Sequence, residues 1–224
     1  MMKQKLTLLC ASLIAIVFYS CGPSIKVTDT WKAPDIREIH DDKILVIARM
    51  DDRASRQLFE QEIVSKLKSV GINAVPSYST YPDIKINKKL EESEVNEDIA
   101  KFKKDGFGAV ALTVVKDVKT EINTEQSGGY VAGGYYPGFY GGYGGFGGYY
   151  GSFYSPYGMG GSYIPSSQRT YESDIYKLET VVYDLGRENS KQLVAVVNSE
   201  ITDPDSASGV AKPYAEKVLE QFNK

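Results

Sequence analysis

Two carboxylates and two guanidinium groups lie close together in the sequence, directly after a long apolar run: Asp51, Asp52, Arg53 and Arg56. Open α/β sheets bind ligands in the turns that follow their parallel strands, so this turn is a weak candidate polar site for a small charged ligand. The carboxylate pair would also allow general acid–base chemistry, as in a carboxylate-based periplasmic hydrolase. We favour a simpler interpretation, in which an aspartate caps the next helix and the arginines pair with aspartate or Glu60 on a solvated face.

The residue types needed for other kinds of catalysis are scarce. His40 is the only histidine of the chain, so neither a Ser-His-Asp relay nor a multi-histidine metal site can be built. Residues 142–147 satisfy the dinucleotide pattern G-x-G-x-x-G, but they lie within glycine-rich sequence and not between a strand and a helix. We therefore expect no metal, no cofactor and no catalytic residue.

Residues 127–168 form an insert without charged residues, in which glycines alternate with tyrosine or phenylalanine. Such a segment is not expected to pack a core, because ordering glycine is costly and buries nothing. Its rings could instead stack on sugars or on a partner surface. Three interpretations stay open: an idle flexible loop, an arm that holds a protein or glycan, and self-association. The candidate binding residues are Tyr135, Tyr136, Tyr140, Tyr143, Phe146, Tyr149, Tyr150 and Tyr154.

The N-terminus has the features of a bacterial secretion signal. Lys3 and Lys5 precede an apolar run over residues 6–18, which is too short to span a bilayer and is typical of a signal peptide. The run leads to Ser20-Cys21, which resembles the bacterial lipobox, in which a small residue precedes the cysteine that takes a diacylglycerol. Phe18 and Tyr19 depart from the strict pattern and are similar to the relaxed lipoboxes of Bacteroidetes. We predict that residues 1–20 are removed and that Cys21 is lipidated.

Lipidation would attach the chain to a membrane and leave it without a free thiol, since Cys10 lies in the removed segment. A disulfide framework and cysteine nucleophile chemistry are thereby excluded. The 26 basic and 29 acidic residues give a net charge of −3, without a basic stripe, so we expect no nucleic-acid partner. Surface display in Bacteroidetes is associated with acidic residues just after the lipidated cysteine, and residues 22–26 contain none. We therefore expect an outer-membrane lipoprotein that faces the periplasm.

Residues 21–42 are interpreted as a lipidated tether and arm. The helices and strands that would position the candidate residues begin after them. Trp31 in this arm is expected to bury its ring and fasten the arm to the domain. Residues 43–50 form a continuous apolar run, which predicts a strand buried on both faces. A helix over residues 53–70 and a strand over residues 72–78 follow, with Gly71 ending the helix; the right-handed crossover makes the two strands parallel.

The remaining elements are predicted in the same way. Ser93 is expected to cap a helix through residue 104, followed by a buried strand over residues 109–115 that continues as a charged ribbon. Residues 169–185 and 191–202 predict an antiparallel hairpin. Apolar residues spaced by four predict a C-terminal helix with Pro213 near its first turn.

The order of these elements predicts an α/β sandwich of two or three layers with a mixed five-stranded sheet, β-α-β-α-β-insert-β-β-α. The first part of this domain covers residues 43–126 and the second part residues 169–224. The flexible insert, residues 127–168, would be a long loop between two strands that could otherwise be neighbours.

Three stretches and Cys21 together resemble a group of envelope lipoproteins of Bacteroidetes that carry a domain of unknown function. The stretches are residues 28–34 (TDTWKAP), residues 44–53 (ILVIARMDDR) and residues 105–110 (DGFGAV). The fold is also distantly similar to the small α/β domains of periplasmic assembly lipoproteins, such as those of curli export and of the Tol system. A shared fold fixes no function.

The sequence therefore predicts a non-catalytic lipoprotein anchored in the cell envelope, an interaction or assembly module with an aromatic flexible loop. Its partners would be the membrane, through the lipid at Cys21, and an envelope protein or glycan. The alternative is a hydrolase or a small-ligand-binding domain that uses the turn over residues 51–56.

Overall fold

The computed structural model describes residues 24–36, 42–50, 52–85, 88–123, 145–146, 171–188 and 191–222. Within these ranges the chain forms six strands and four helices. In chain order they are β1 Ser24–Lys32, β2 Ile44–Arg49, α1 Arg53–Ser69, β3 Ala74–Pro76, α2 Ser77–Thr80, α3 Glu92–Lys104, β4 Ala109–Asn123, β5 Tyr171–Asp184, β6 Leu193–Thr202 and α4 Ala207–Phe222. None of the helices in the described part of the chain is long and apolar enough to cross a membrane.

All six strands belong to one mixed sheet in the order β1-β6-β5-β4-β2-β3. The neighbours β3, β2 and β4 run parallel, whereas β4, β5, β6 and β1 run antiparallel to one another. The predicted mixed α/β fold is confirmed, including the parallel unit from the first half of the chain beside the C-terminal hairpin. The predicted number of five strands is wrong, because the arm before Asp42 contributes a sixth.

The extra strand is β1, which pairs with β6 from Ser24 opposite Thr202 to Lys32 opposite Ala195. Its register shifts between Val27 and Asp29. Such a bulge moves the following side chains to the other face of the sheet, which hides the period of two that marks a strand in the sequence. Trp31 packs against the hydrophobic clusters on both faces, as expected of a side chain that fastens the arm.

The β2–α1 unit agrees with its sequence pattern. Every residue of β2 is buried, as a central parallel strand requires. The Asp52 side chain caps α1 by accepting a hydrogen bond from the Ser55 backbone N–H at 2.8 Å. The helix ends before Gly71, whose φ of +87° is a left-handed conformation that glycine adopts without strain.

The predicted strand over residues 72–78 is shorter than expected. Only Ala74–Pro76 pairs with β2, and the four-residue helix α2 begins at Ser77. Pro76 has no N–H to donate to a sheet. The next two residues turn inward, because the Ser77 hydroxyl and the Tyr78 N–H both bond to the Glu60 carboxylate.

Helix α3 begins two residues earlier than a cap at Ser93 would place it. Glu91 is its N-cap and forms a capping box with Glu94, which also pairs with Lys85. This pairing and the bond from the Glu91 N–H hold the pKa of Glu94 down at about 2. Gly106, with φ +81°, follows the last turn as predicted.

The charged ribbon predicted after residue 115 is a continuation of the strand. β4 runs on to Asn123 and pairs with β5 along its whole length, from Ala109 opposite Asp184 to Asn123 opposite Tyr171. The register shifts between Val115 and Asp117, where the buried part ends. The insert therefore joins two neighbouring strands at the tip of a long hairpin, as the sequence suggested.

Helix α4 begins at Ala207, so Pro213 is inside the helix and the prediction that it occupies the first turn is wrong. The Ser206 hydroxyl accepts from the Gly209 N–H at 3.2 Å and starts the helix earlier. Pro213 cannot donate to the carbonyl of Gly209 four residues before it. Because Gly209 is exposed, water can satisfy that carbonyl.

Helices cover both faces of the sheet, so the sandwich has three layers. We call the face under α1 and α4 the two-helix face; Phe59, Tyr214 and Val218 pack there against β2, β4 and β5. We call the opposite one the α3 face; Val95 and Phe102 of α3 pack there with Tyr81 and Phe107. The sheet is thus buried on both sides in its centre.

Candidate functional site

The described side chains of the polar turn after β2 are not brought together in one place. The Asp52 carboxylate is engaged in capping α1, and Arg53 is exposed. Arg56 is buried and points away from the turn, toward Glu60. Asp51 and His40 lie outside the described residues. The structure therefore separates Arg56 from Asp52, and the predicted pairing of an arginine with Glu60 is confirmed, but in the core and not on a solvated face.

Glu60 is the centre of a buried polar network. Its Oε1 accepts from Arg56 Nε at 2.9 Å, from the Ser77 hydroxyl at 2.7 Å and from the Ala48 N–H at 3.0 Å. Its Oε2 accepts from the Tyr78 N–H at 2.6 Å. Since Glu60 is fully buried, every lone pair must find such a partner inside the protein. The network joins α1, β2 and α2 and has no opening for a ligand.

Arg56 completes this network from the other side. Its guanidinium also donates to the Ser77 hydroxyl at 2.8 Å and to the carbonyl of Tyr81 at 3.4 Å. The spacing of Arg56 and Glu60 by four residues in a helix was a usable signal for the pair. Nothing in the sequence marked Ser77 as their partner, because it lies seventeen residues from Glu60.

A second set of buried polar groups crosses β4 and β5. Glu179 is fully buried and pairs with Lys116 Nζ at 2.9 Å. On the two-helix face the Thr180 hydroxyl bonds to that of Thr113 at 2.7 Å and to that of Tyr214 at 2.8 Å. Burial raises the pKa of the Tyr214 hydroxyl, so it stays a neutral hydrogen-bonding group. These contacts hold β4 and β5 in register and position α4 on the sheet.

Phe146 is the one proposed binding residue that the structure describes, and it is fully buried. Its ring packs on Tyr183 with centroids 5.4 Å apart, on the α3 face. Its backbone N–H donates to Gln192 Oε1 at 2.9 Å, and Gln192 in turn donates to the carbonyl of Arg187 at 3.1 Å. The expectation that this ring lies on a free arm is wrong, because Tyr183 offers it an apolar surface. The other proposed binding residues, Tyr135, Tyr136, Tyr140, Tyr143, Tyr149, Tyr150 and Tyr154, lie outside the described residues.

The two ends of the sheet differ in structure: the β4–β5 hairpin projects from one end, and two helices terminate at the other. At one end, Ser24 of β1 is level with Thr202 of β6 and Ile175 of β5. The hairpin of β4 and β5 continues past this row by four residue pairs, or about 13 Å. At its tip, Ile122 is 63% exposed. We call this the hairpin end and the opposite one the helix end, because α1 and α4 both terminate there.

No constellation of three or more metal-ligating side chains occurs among the described residues. The described strands form one sheet with β1 at its edge and a projecting hairpin of β4 and β5. Its buried charges are engaged in holding elements together. What the sequence did not reveal was the edge strand β1, and with it the place where the chain enters the sheet.

No protein-family model matches the chain, and no curated protein matches it. Among solved structures it is similar to the PelC dodecamer from Paraburkholderia phytofirmans, with 12% identity and a TM-score of 0.39 over 88% of this chain and 94% of that one. It is also similar to lipoprotein GNA1162 from Neisseria meningitidis, with 11% identity and a TM-score of 0.38 over 80% of this chain and 96% of that one. At values this low, neither likeness assigns the chain to a family or gives it a function.

Proposed function

We propose that the chain is a lipid-anchored, non-catalytic lipoprotein of the bacterial cell envelope that serves as an interaction or assembly module. The support comes first from the sequence, in which a secretion signal leads to Ser20 and Cys21. We further propose that the anchor lies in the outer membrane and that the domain faces the periplasm, since residues 22–26 contain no acidic residue.

The observation that carries this proposal is the short distance between Cys21 and the sheet. β1 begins only three residues after Cys21, and three extended residues reach about 10 Å. The lipid would therefore hold the hairpin end of the sheet against the membrane. The tip of the hairpin projects about as far in the same direction, so it would lie at the level of the lipid headgroups.

The aromatic insert leaves the domain at Asn123 and returns at Tyr171, both at the hairpin tip. Within it, Phe146 packs on Tyr183, which is level with Val110 and Leu193 at the helix end of the sheet. We propose that the tyrosines of the insert hold an envelope protein or glycan, since tyrosine combines an apolar ring with a hydroxyl that suits half-wet interfaces.

The alternative of a hydrolase or a ligand site at residues 51–56 has no observation in its favour. Asp52 is engaged as a helix cap, and Arg56 is engaged with Glu60.

Changing Cys21 to alanine tests the anchor. The hairpin end carries several acidic residues: Glu121, Glu172, Asp174, Asp203 and Asp205. Such a surface is repelled by anionic headgroups, so the domain should not adsorb to a membrane without its lipid. We expect Cys21→Ala either to appear in the soluble fraction or to accumulate as uncleaved precursor, as read by fractionation and mass spectrometry.

Cys10→Ala is the matched control, because Cys10 lies in the segment predicted to be removed. This variant should be cleaved, lipidated and membrane-bound like the parent. Cys21→Ala protein that is cleaved after Ser20 and still sediments with membranes would refute the proposal.

A further inference from the structure

A cavity of about 220 Å³ lies at the helix end, between α1 and α4 and above the sheet. One wall is formed by Ile63, Lys66, Leu67 and Val70 of α1, and the other by Ala215, Val218, Leu219 and Phe222 of α4. In each helix these positions follow the spacing i, i+3, i+4 and i+7, which places them on a single stripe. The two stripes face each other across the cavity.

The cavity exists because its floor and one wall carry small side chains. Ala111 of β4 lies below it and Ala215 of α4 beside it, where larger residues would fill the space. The cavity opens to solvent, so its apolar walls face water until an occupant covers them, and covering apolar surface is favourable.

We infer that this cavity binds one linear aliphatic chain of about eight carbons, as carried by a free medium-chain fatty acid. The stripes of α1 and α4 each span seven residues, or about 10 Å of helix, which is close to the length of an extended eight-carbon chain. The volume exceeds the roughly 150 Å³ of an engineered apolar cavity that holds benzene. Apart from Lys66, Thr180 and Phe222 the lining is aliphatic, so it fits a flexible chain better than a stack of rings.

Lys66 marks the mouth of the cavity and the place of the headgroup. It is the only charged residue among the described lining residues, and its side chain is 29% exposed. Its ammonium pairs with Glu216 at 2.6 Å, so a carboxylate headgroup would share this cation with Glu216 in contact with water. The aliphatic chain therefore dominates the affinity, and the headgroup adds little.

The position of the cavity indicates a free ligand and not a bilayer lipid, a step that rests on the proposed anchoring at Cys21. The lining residue nearest the anchored end, Thr180, is level with Thr30, six residues along β1 from Ser24, so the cavity begins about 20 Å from that end. A diacyl lipid would also bring a second chain, for which the cavity has no room.

The test uses the mature chain with Cys21→Ala in detergent-free buffer, titrated calorimetrically with hexanoate, heptanoate, octanoate, decanoate and dodecanoate below their critical micelle concentrations. Affinity should rise about fourfold per added methylene and level off near eight carbons, where the cavity is full. Monomeric dioctanoyl phosphatidylglycerol should bind at least tenfold more weakly than octanoate. Equal or tighter binding of the diacyl lipid would overturn the assignment to a free fatty acid.

Two substitutions test the location. Ala215→Leu fills the cavity and should lower octanoate affinity at least tenfold, whereas Ala54→Leu, at an exposed position of α1, should leave it unchanged. Leu219→Ala enlarges the cavity and should move the plateau to longer chains, which keeps the test decisive if Ala215→Leu fails to fold. Absence of octanoate binding, a plateau that Leu219→Ala does not move, or full binding by a folded Ala215→Leu would refute the inference.

Discussion

Replacing Glu60 with glutamine is expected to lower the free energy of unfolding by about 3–5 kcal/mol, the usual cost of removing one partner from a buried ion pair. Glutamine has nearly the same shape as glutamate, so the change tests charge and hydrogen bonding with little effect on volume. Glu60 accepts from three groups at Oε1 and from the Tyr78 N–H at Oε2. An amide has one oxygen, so on one side its NH₂ group must face a donor. Arg56 would also lose its charged partner in the core.

Chemical denaturation of both proteins, followed by circular dichroism, measures this loss. The matched control is Glu62→Gln in the same helix, where the side chain is only partly buried. It should change the free energy of unfolding by less than about 0.5 kcal/mol, as is usual for surface positions. If Glu60→Gln were as stable as the parent, the network could not be what joins α1 to β2 and α2.

Phe146→Ala is expected to destabilise the domain by about 3–5 kcal/mol, as truncations of fully buried phenylalanine do. The substitution leaves a cavity against Tyr183 and removes an aromatic contact with centroids 5.4 Å apart. The backbone hydrogen bond from residue 146 to Gln192 can persist, so the loss reports on the ring. Thermal denaturation monitored by near-ultraviolet circular dichroism would record both the loss of stability and the change around Tyr183.

Ile122→Ala at the exposed hairpin tip is the comparison, with an expected change below about 0.5 kcal/mol. A Phe146→Ala protein as stable as the parent would restore the sequence-based expectation that the insert packs no core. With Phe146 packed on Tyr183, replacing the whole insert by a short linker should cost about as much stability as Phe146→Ala. Loop length itself matters little, at about 0.6 kcal/mol per doubling.

Local sequence signals were sufficient for most of the domain. The continuous apolar run of β2, the cap at Asp52 and the stop at Gly71 define one strand and one helix through neighbours in the sequence. Alternating residues likewise predicted the hairpin of β5 and β6. In these segments the burial pattern and the local conformational preference agree, which is why a single sequence was enough.

Several of the failures have a common physical cause, since each of these depended on a distant partner, whereas the starts of α3 and α4 were misplaced by local caps. β1 is recognisable as a strand only when β6 is beside it, because its bulge breaks the alternation. Ser77 ends β3 on account of a carboxylate from another helix. Phe146 looks like its neighbours in the repeat, and only the surface of Tyr183 distinguishes it. By contrast, Arg56 is drawn into the core by Glu60, a partner four residues along the same helix that the sequence did offer.

The orientation on the membrane is tested most directly by placing a fluorophore at each end of the sheet in the lipidated protein. The mature chain is predicted to contain no free thiol, so Ile122→Cys and Val70→Cys each create a single labelling position. Both side chains are exposed, at 63% and 38%. In liposomes that contain lipids with a quencher on the headgroup, the label at residue 122 should be strongly quenched. The label at residue 70, about 40 Å farther away, should fluoresce as it does without quencher. Equal quenching of the two labels, or stronger quenching at residue 70, would contradict a domain held to the membrane by its hairpin end.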